Sequence, residues 1–466
     1  MSFIKKFIGN KQFYKTVLVI ALPIMVQNGI TNFVSFLDNI MVGRVGTEEM
    51  SAVGIVNQIM FVYNLCIFGA ISGAGIFTVQ YFGKGDTEGI RFTFRFKMII
   101  CFLIAFVAMA VFILFGTPLI KLFLNEGSVE GNLERTLSFG KQYLAVVIWG
   151  MIPYCITQYY SGTLRELGHT VVPMLSGAAA VLVNFVFNWL LIFGELGFPK
   201  LGVVGAGIAT VIARVVECAA IILYTHLKSK RFPFILGVYR SLKIPKDVFI
   251  KILIKGTPLF LNESLWATGI SVLAQCYSLR GLSVIAAVNI ASTVLNVFNI
   301  AFIALGNSVG IIVGKLLGAG EFEKAKDTDN KLIFFSVSIS VLMGAVMFIS
   351  AKYIPELYNI NDEVKKIAEY MLRILSVFFP VNAFMHATYF TLRSGGKTFV
   401  TFLFDSVFEC LVSVPLAFCL AHFTELSIFV IYPIVLGADI IKCVIGFIML
   451  KKNVWIHNIS QREIAE

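Results

Sequence analysis

Residues 98–116, MIICFLIAFVAMAVFILFG, form a run of nineteen without one charged side chain. An α-helix needs about 20 apolar residues to cross a bilayer core of about 30 Å, so this run already sets the environment of the chain. Similar runs recur along the sequence as continuous stretches, and the ten-residue alternation of a membrane barrel is absent. Composition agrees: the 466 residues are 58% hydrophobic and 14% charged, with a mean hydropathy of +0.85. Soluble proteins are about a quarter charged, which excludes a soluble multidomain protein. A disordered chain has the opposite balance and is excluded too.

Working outward from residues 98–116, the pattern predicts twelve membrane helices: 16–38, 51–79, 96–118, 142–162, 171–193, 202–225, 252–278, 283–314, 332–351, 370–391, 399–421 and 426–450. Several hold a proline, at Pro23, Pro153, Pro258, Pro380, Pro415 and Pro433, which membranes tolerate where neighbours satisfy the freed backbone groups. The first span follows Lys5, Lys6, Lys11 and Lys15 but is too long for a signal peptide and lacks a small-residue cleavage site. The net charge of +11 is explained by position. With the N-terminus inside, and with Lys97, Lys255 and Arg373 at span ends counted with the loops they adjoin, 26 of the 38 Lys and Arg residues fall on the cytoplasmic side and 10 outside, with Arg214 and Lys442 deep within spans. This is the positive-inside pattern, so both termini are expected in the cytoplasm of a cell-membrane protein, and no nucleic-acid partner is called for. The eight cysteines include no C-x-x-C pair and read as packing residues, and no structural metal site is expected.

The chain also repeats itself. A shift of 235 lays Pro23 on Pro258, residues 52–55 (AVGI) on 287–290 (AVNI), Gly83 on Gly318, Gly85 on Gly320 and Asp86 on Glu321. Further on, a shift of 227 to 228 lays Tyr143 on Tyr370, Pro153 on Pro380, and LRELGHT (164–170) on LRSGGKT (392–398). Two halves of six helices follow, an N-lobe over 1–235 and a C-lobe over 236–466, joined by a basic linker at about 226–251. Six is even, so both halves start on the same side. The expected fold is therefore an all-α integral membrane protein, with two parallel six-helix repeats around a central cavity.

These repeats carry further motifs: FLDNIMVGRVGTEEMSAVG (36–54), QYFGKGD (80–86), NFVFNWLLIFG (184–194) and GVVGAGIAT (202–210). Together they resemble the multidrug and toxic compound extrusion (MATE) family. That resemblance implies export of bulky, usually cationic organic compounds in exchange for protons or sodium. It also places the N-lobe acid of the family at Asp38, with an Asn at Asn184 and, in place of the family's next Asp, Asn188. Asp38, Asn184, Asn188 and Thr210 are thus the expected N-lobe coupling site for a proton or, with Asp38 as its carboxylate, sodium. One missing carboxylate weakens a sodium site.

Intramembrane ionisable groups are costly and point to function. Arg214 with Glu217, and Asp439 with Lys442, stand three apart and read as structural pairs. Glu263, Asp405 and Glu409 lack such a local partner; with His386 they form the expected C-lobe set for substrate or proton. Two other motifs read as structural. TLRSGGKT (391–398) lacks the first glycine of a phosphate loop and a preceding strand, so it is a short turn, and the energy source is an ion gradient rather than a nucleotide. Gly205-x-Gly207 marks close helix packing. No enzyme is expected, because no nucleophile or paired-His cluster lies within a span. The expected protein is a monomeric secondary antiporter without a cofactor. Its nearest rival is a flippase for a lipid-linked saccharide.

Overall fold

The computed structural model describes residues 7–124, 132–358 and 360–460, with the side chains of 34–36 outside that description. Lys5 and Lys6 of the basic flank lie outside the described residues. The chain forms α1 (Lys11–Gly43), α2 (Thr47–Lys84), α3 (Thr87–Phe123), α4 (Leu133–Val147 and Met151–Glu166), α5 (Val171–Phe193) and α6 (Val203–Leu227). The second set is α7 (Lys246–Ser278), α8 (Leu282–Gly318), α9 (Phe322–Ser350), α10 (Asp362–Ser394), α11 (Thr398–Phe423) and α12 (Ile428–Lys451). Ten of these helices are long and apolar enough to cross a membrane. The other two are α4, interrupted by the 3-10 turn Ile148–Gly150, and the more polar α7. Pro23, Pro258, Pro380 and Pro433 sit inside continuous helices.

The repeat is visible in the backbone itself. The turns after α2 and α8 place Gly85 and Gly320 at φ of +78° and +77°; those after α4 and α10 place Gly168 and Gly396 at +85° and +71°. Only glycine takes this left-handed conformation without strain. TLRSGGKT is accordingly a helix-to-helix turn, with α10 ending at Ser394 and α11 starting at Thr398.

The chain packs as two compact units. One consists of Pro23–Thr78 and Thr87–Ile252. Within it α5 and α6 approach closely: a Cβ at Gly205 would lie 2.5 Å from the Leu191 carbonyl oxygen. The basic linker is folded down rather than extended. Arg91 donates to the Phe234 carbonyl (3.2 Å), Arg95 donates to those of Val238 (2.9 Å) and Lys243 (3.2 Å), and the Phe94 ring meets Tyr159, Tyr160 and Phe234 at 5.2, 5.1 and 5.5 Å. Two charges hidden from sequence reading also meet here. Lys97, fully buried on α3, donates to Thr163 Oγ1 (3.2 Å) and forms an ion pair with Glu166 at the end of α4.

The other unit consists of residues up to Leu22, Val79–Asp86, and everything from Leu253 onward. Its core gathers Phe302, Phe379, Met371, Leu372 and their neighbours from α8, α10 and α12. Thr391, the repeat counterpart of Thr163, donates to the buried Asp329 at 2.6 Å. The end of α2 crosses α8 at two glycines. A Cβ at Gly83 would fall 2.0 Å from the Lys315 carbonyl oxygen, and one at Gly318 would fall 2.0 Å from that of Gln80. Under the 235 shift Gly83 lands on Gly318 and Gln80 on Lys315, so the crossing makes the same contact twice. The buried Gln80 also ties in the C-terminal segment: it donates to the carbonyls of Ser394 (2.9 Å) and His457 (3.2 Å) and accepts from Ile459 N (2.7 Å). Desolvation, with Lys397 and Lys255 nearby, holds the His457 ring below its usual pKa.

Candidate functional site

In the first unit, Asn184 and Asn188 stand four apart on α5 and therefore on one face. Both are buried, at 6% and 1% exposure. Asp38, five residues before the end of α1, meets that face. Asn188 Nδ2 donates to Asp38 Oδ1 at 2.5 Å and to Asn184 Oδ1 at 3.1 Å. Turning the Asn184 amide gives up its bond from Asn188 and puts its nitrogen 2.8 Å and 3.2 Å from the two Asp38 oxygens, so that both amides face the carboxylate as donors. Asn188 Oδ1 is left as a buried acceptor with no donor. Thr210, also expected here, donates to the Ala206 carbonyl of its own helix at 3.0 Å. Tyr143 of α4 donates to Asn57 at 3.4 Å. Arg214 pairs with Glu217 at 3.4 Å and lies over the Tyr154 ring at 4.6 Å, the pairing that their three-residue spacing suggests.

The second unit holds a denser network. Asp405 of α11 uses both carboxylate oxygens: Lys442 Nζ of α12 donates to Oδ1 at 2.8 Å, and Asn262 Nδ2 of α7 donates to Oδ2 at 3.0 Å. Ser406 Oγ donates to Asn262 Oδ1 at 2.7 Å, which fixes that amide. The local pairing of Lys442 with Asp439 suggested by spacing is therefore replaced by a bond between helices. Lys442 is 5% exposed, and an ammonium that deep takes the carboxylate already oriented in the interior. Glu263 accepts from Tyr389 at 3.5 Å, and His386 stacks on Phe302 with centroids 6.3 Å apart. Glu409 stands apart from Asp405's bonds, beside Gly269 of α7. Helix α11 is wound with i→i+5 π turns over Leu403–Val407 and Glu409–Ser413, the stretches that carry both acids. Such turns occur often at functional sites.

Asn262, Ser406 and the Lys442 partnership are missing from the sequence reading. The 235 shift does place Asn262 on Gln27, another buried amide after the helix proline, and that is the one sequence signal for it. Gln27 plays a different part, accepting from Arg165 at 2.8 Å and donating to the Pro173 carbonyl at 3.2 Å.

The model of the MatE family matches residues 23–190 and 258–419, once in each repeat. The chain belongs to the MATE family. A probable multidrug resistance protein NorM of Thermotoga maritima is 26% identical over 417 residues, 89% of this chain and 87% of that one. The corresponding protein of Photorhabdus laumondii is 27% identical over 420 residues, 89% of each. Among solved structures, a MATE protein in a bent conformation superposes with a TM-score of 0.84 over 95% of both chains at 19% identity. A transporter of Pyrococcus furiosus, whose structure is described by a reversed polarity of its binding pocket, gives 0.83 over 97% of both at 18% identity. These likenesses establish for this MATE chain the twelve-helix membrane fold.

Proposed function

We propose that this MATE protein is a secondary antiporter that exports bulky organic cations in exchange for protons by alternating access. Asp38 carries the reading: a carboxylate inside a membrane helix, held between two buried amides. The multidrug resistance names of the relatives support the substrate class. Protons are favoured over sodium because a hard cation gathers several oxygen ligands, whereas the turned amides present nitrogen to Asp38. A proton needs only the one acid. The saccharide flippase is not favoured: Arg214 and Lys442 are each engaged by an acid and offer no free cation to a pyrophosphate. The protein acts as a monomer without a cofactor.

The test is transport of a fluorescent organic cation in proteoliposomes. Export driven by a pH gradient in sodium-free buffer supports the reading; export driven only by sodium at fixed pH, with an uncoupler present, overturns the proton assignment. Membrane orientation is tested separately. With both termini in the cytoplasm of a cell-membrane protein, an Arg240→Cys variant gains labelling over the native thiols by an impermeant reagent only in inverted vesicles. Gain of label in intact cells reverses the topology.

A further inference from the structure

Gln27 and Asp38 share one face of α1: eleven residues separate them, which is three turns to within about 20° of rotation and about 16 Å of rise. Helix α5 answers with the same interval. Gln27 Nε2 donates to the carbonyl of Pro173 at 3.2 Å, and Asp38 meets Asn188 and Asn184, the latter eleven residues beyond Pro173. The two rungs ascend in the same order, so α1 and α5 run parallel here.

Packing alone does not seat this part of α1. Among the described residues between Gln27 and Met41 none is buried, whereas Gln27 is. Its amide is used at both ends: the oxygen accepts from Arg165 Nη2 of α4 at 2.8 Å while the nitrogen holds α5. Arg165 Nε is buried without a partner, so the guanidinium leans on this one amide. Gly177, one turn beyond Pro173, leaves the amide its place. A Cβ there would already stand 3.4 Å from Gln27 Nε2 and 3.6 Å from Glu217 Oε1, and a longer side chain would enter the space of both.

The two rungs differ in one respect. Asp38 gains and loses a proton in the proposed cycle, and its bonds to the asparagines change with it. A glutamine amide, a backbone carbonyl and a guanidinium do not exchange protons at physiological pH, so the Gln27 rung persists through both states.

We infer that Gln27, bridged to Arg165 and Pro173, is a positioning residue for Asp38: the fixed rung that keeps α1 in register with α5, so that the carboxylate returns to Asn184 and Asn188 after each proton transfer. This rests on the reading of Asp38 as the coupling acid and adds the residue that aligns it.

Gln27→Met keeps the length of the side chain and removes both bonds. In proteoliposomes of the full chain under a pH gradient, its maximal rate of fluorescent-cation export, scaled to folded protein, falls about tenfold or more, the weight of a hydrogen bond from a charged donor. Its pH–rate profile is displaced from that of wild type, because Asp38 then sits differently between its donors. The charged and titratable groups around these rungs, Tyr143, Tyr154 and Arg165 of α4 and Arg214 and Glu217 of α6, are unchanged by the substitution. Gln27→Glu keeps the bond from Arg165 and recovers most of the rate. Where Gln27→Met does not fold, Gln27→Asn, which keeps an amide but is one methylene short of bridging α4 and α5, carries the same expectation. Wild type without proton-driven export overturns the antiporter reading and this inference with it. Wild-type export beside a bridge-breaking variant that keeps the native rate and pH profile, or that loses rate at an unchanged pH profile with no recovery in Gln27→Glu, overturns the inference alone.

Discussion

Asp38→Asn reduces gradient-driven export to the leak of empty liposomes while the protein still reaches the membrane and folds. The substitution keeps the side chain's size and removes only its ability to exchange a proton. The surroundings accommodate it. The remaining carbonyl oxygen still accepts from one of the two Asn amides. One hydrogen bond of about 1 kcal/mol is therefore the scale of the structural cost, far less than a membrane protein of this size needs to unfold. Export is measured with the dye assay at matched protein load, and folding by the elution profile in detergent. Wild-type export by this variant removes Asp38 from the mechanism.

Glu166→Gln produces the largest loss of stability. Lys97 has no exposed side-chain surface, and its partners are Thr163 Oγ1 at 3.2 Å and the Glu166 carboxylate. Removing one member of a buried pair leaves an uncompensated charge, which costs about 3 to 5 kcal/mol, whereas replacing both with neutral groups of similar volume is often neutral. The single variant should melt well below wild type in detergent, and Lys97→Met with Glu166→Gln should recover most of that difference. A single variant that melts with wild type shows that the pair is not what holds α3 to α4.

That pair also shows where sequence reading stops. The membrane helices were legible because each needs about 20 apolar residues in one stretch, and the duplication because one shift aligned distant glycines and prolines. Asn184 and Asn188 were reached through the family resemblance and not through any pattern of their own. Lys97, by contrast, sits at the edge of an apolar run, where it counts as a loop cation, and its partner is 69 residues away. Nothing local joins them. Lys442 misled for a related reason: Asp439 stands at helical spacing on its own helix, while Asp405, its actual partner, is on another. Asp405 itself was visible as an intramembrane acid, but its binding to Asn262 depends on how α7 meets α11. The π turns of α11 carry no residue signature of their own; they arise from packing, which no single-helix pattern records.

The two-glycine crossing of α2 and α8 bears on how this chain arose. Because Gly83 rests on the Lys315 carbonyl and Gly318 on the Gln80 carbonyl, the contact maps onto itself when the repeats are exchanged. A surface with that property closes a two-fold dimer of identical subunits. A six-helix ancestor bearing one such glycine and one such carbonyl would have docked on its own copy through this contact, before gene fusion made the partnership permanent. The two repeats differ in chemistry: the 235 shift aligns Asn28 of one with Glu263 of the other, and Thr163 accepts from Lys97 where its counterpart Thr391 donates to Asp329. The crossing keeps the symmetry of the repeat while the chemistry around it does not.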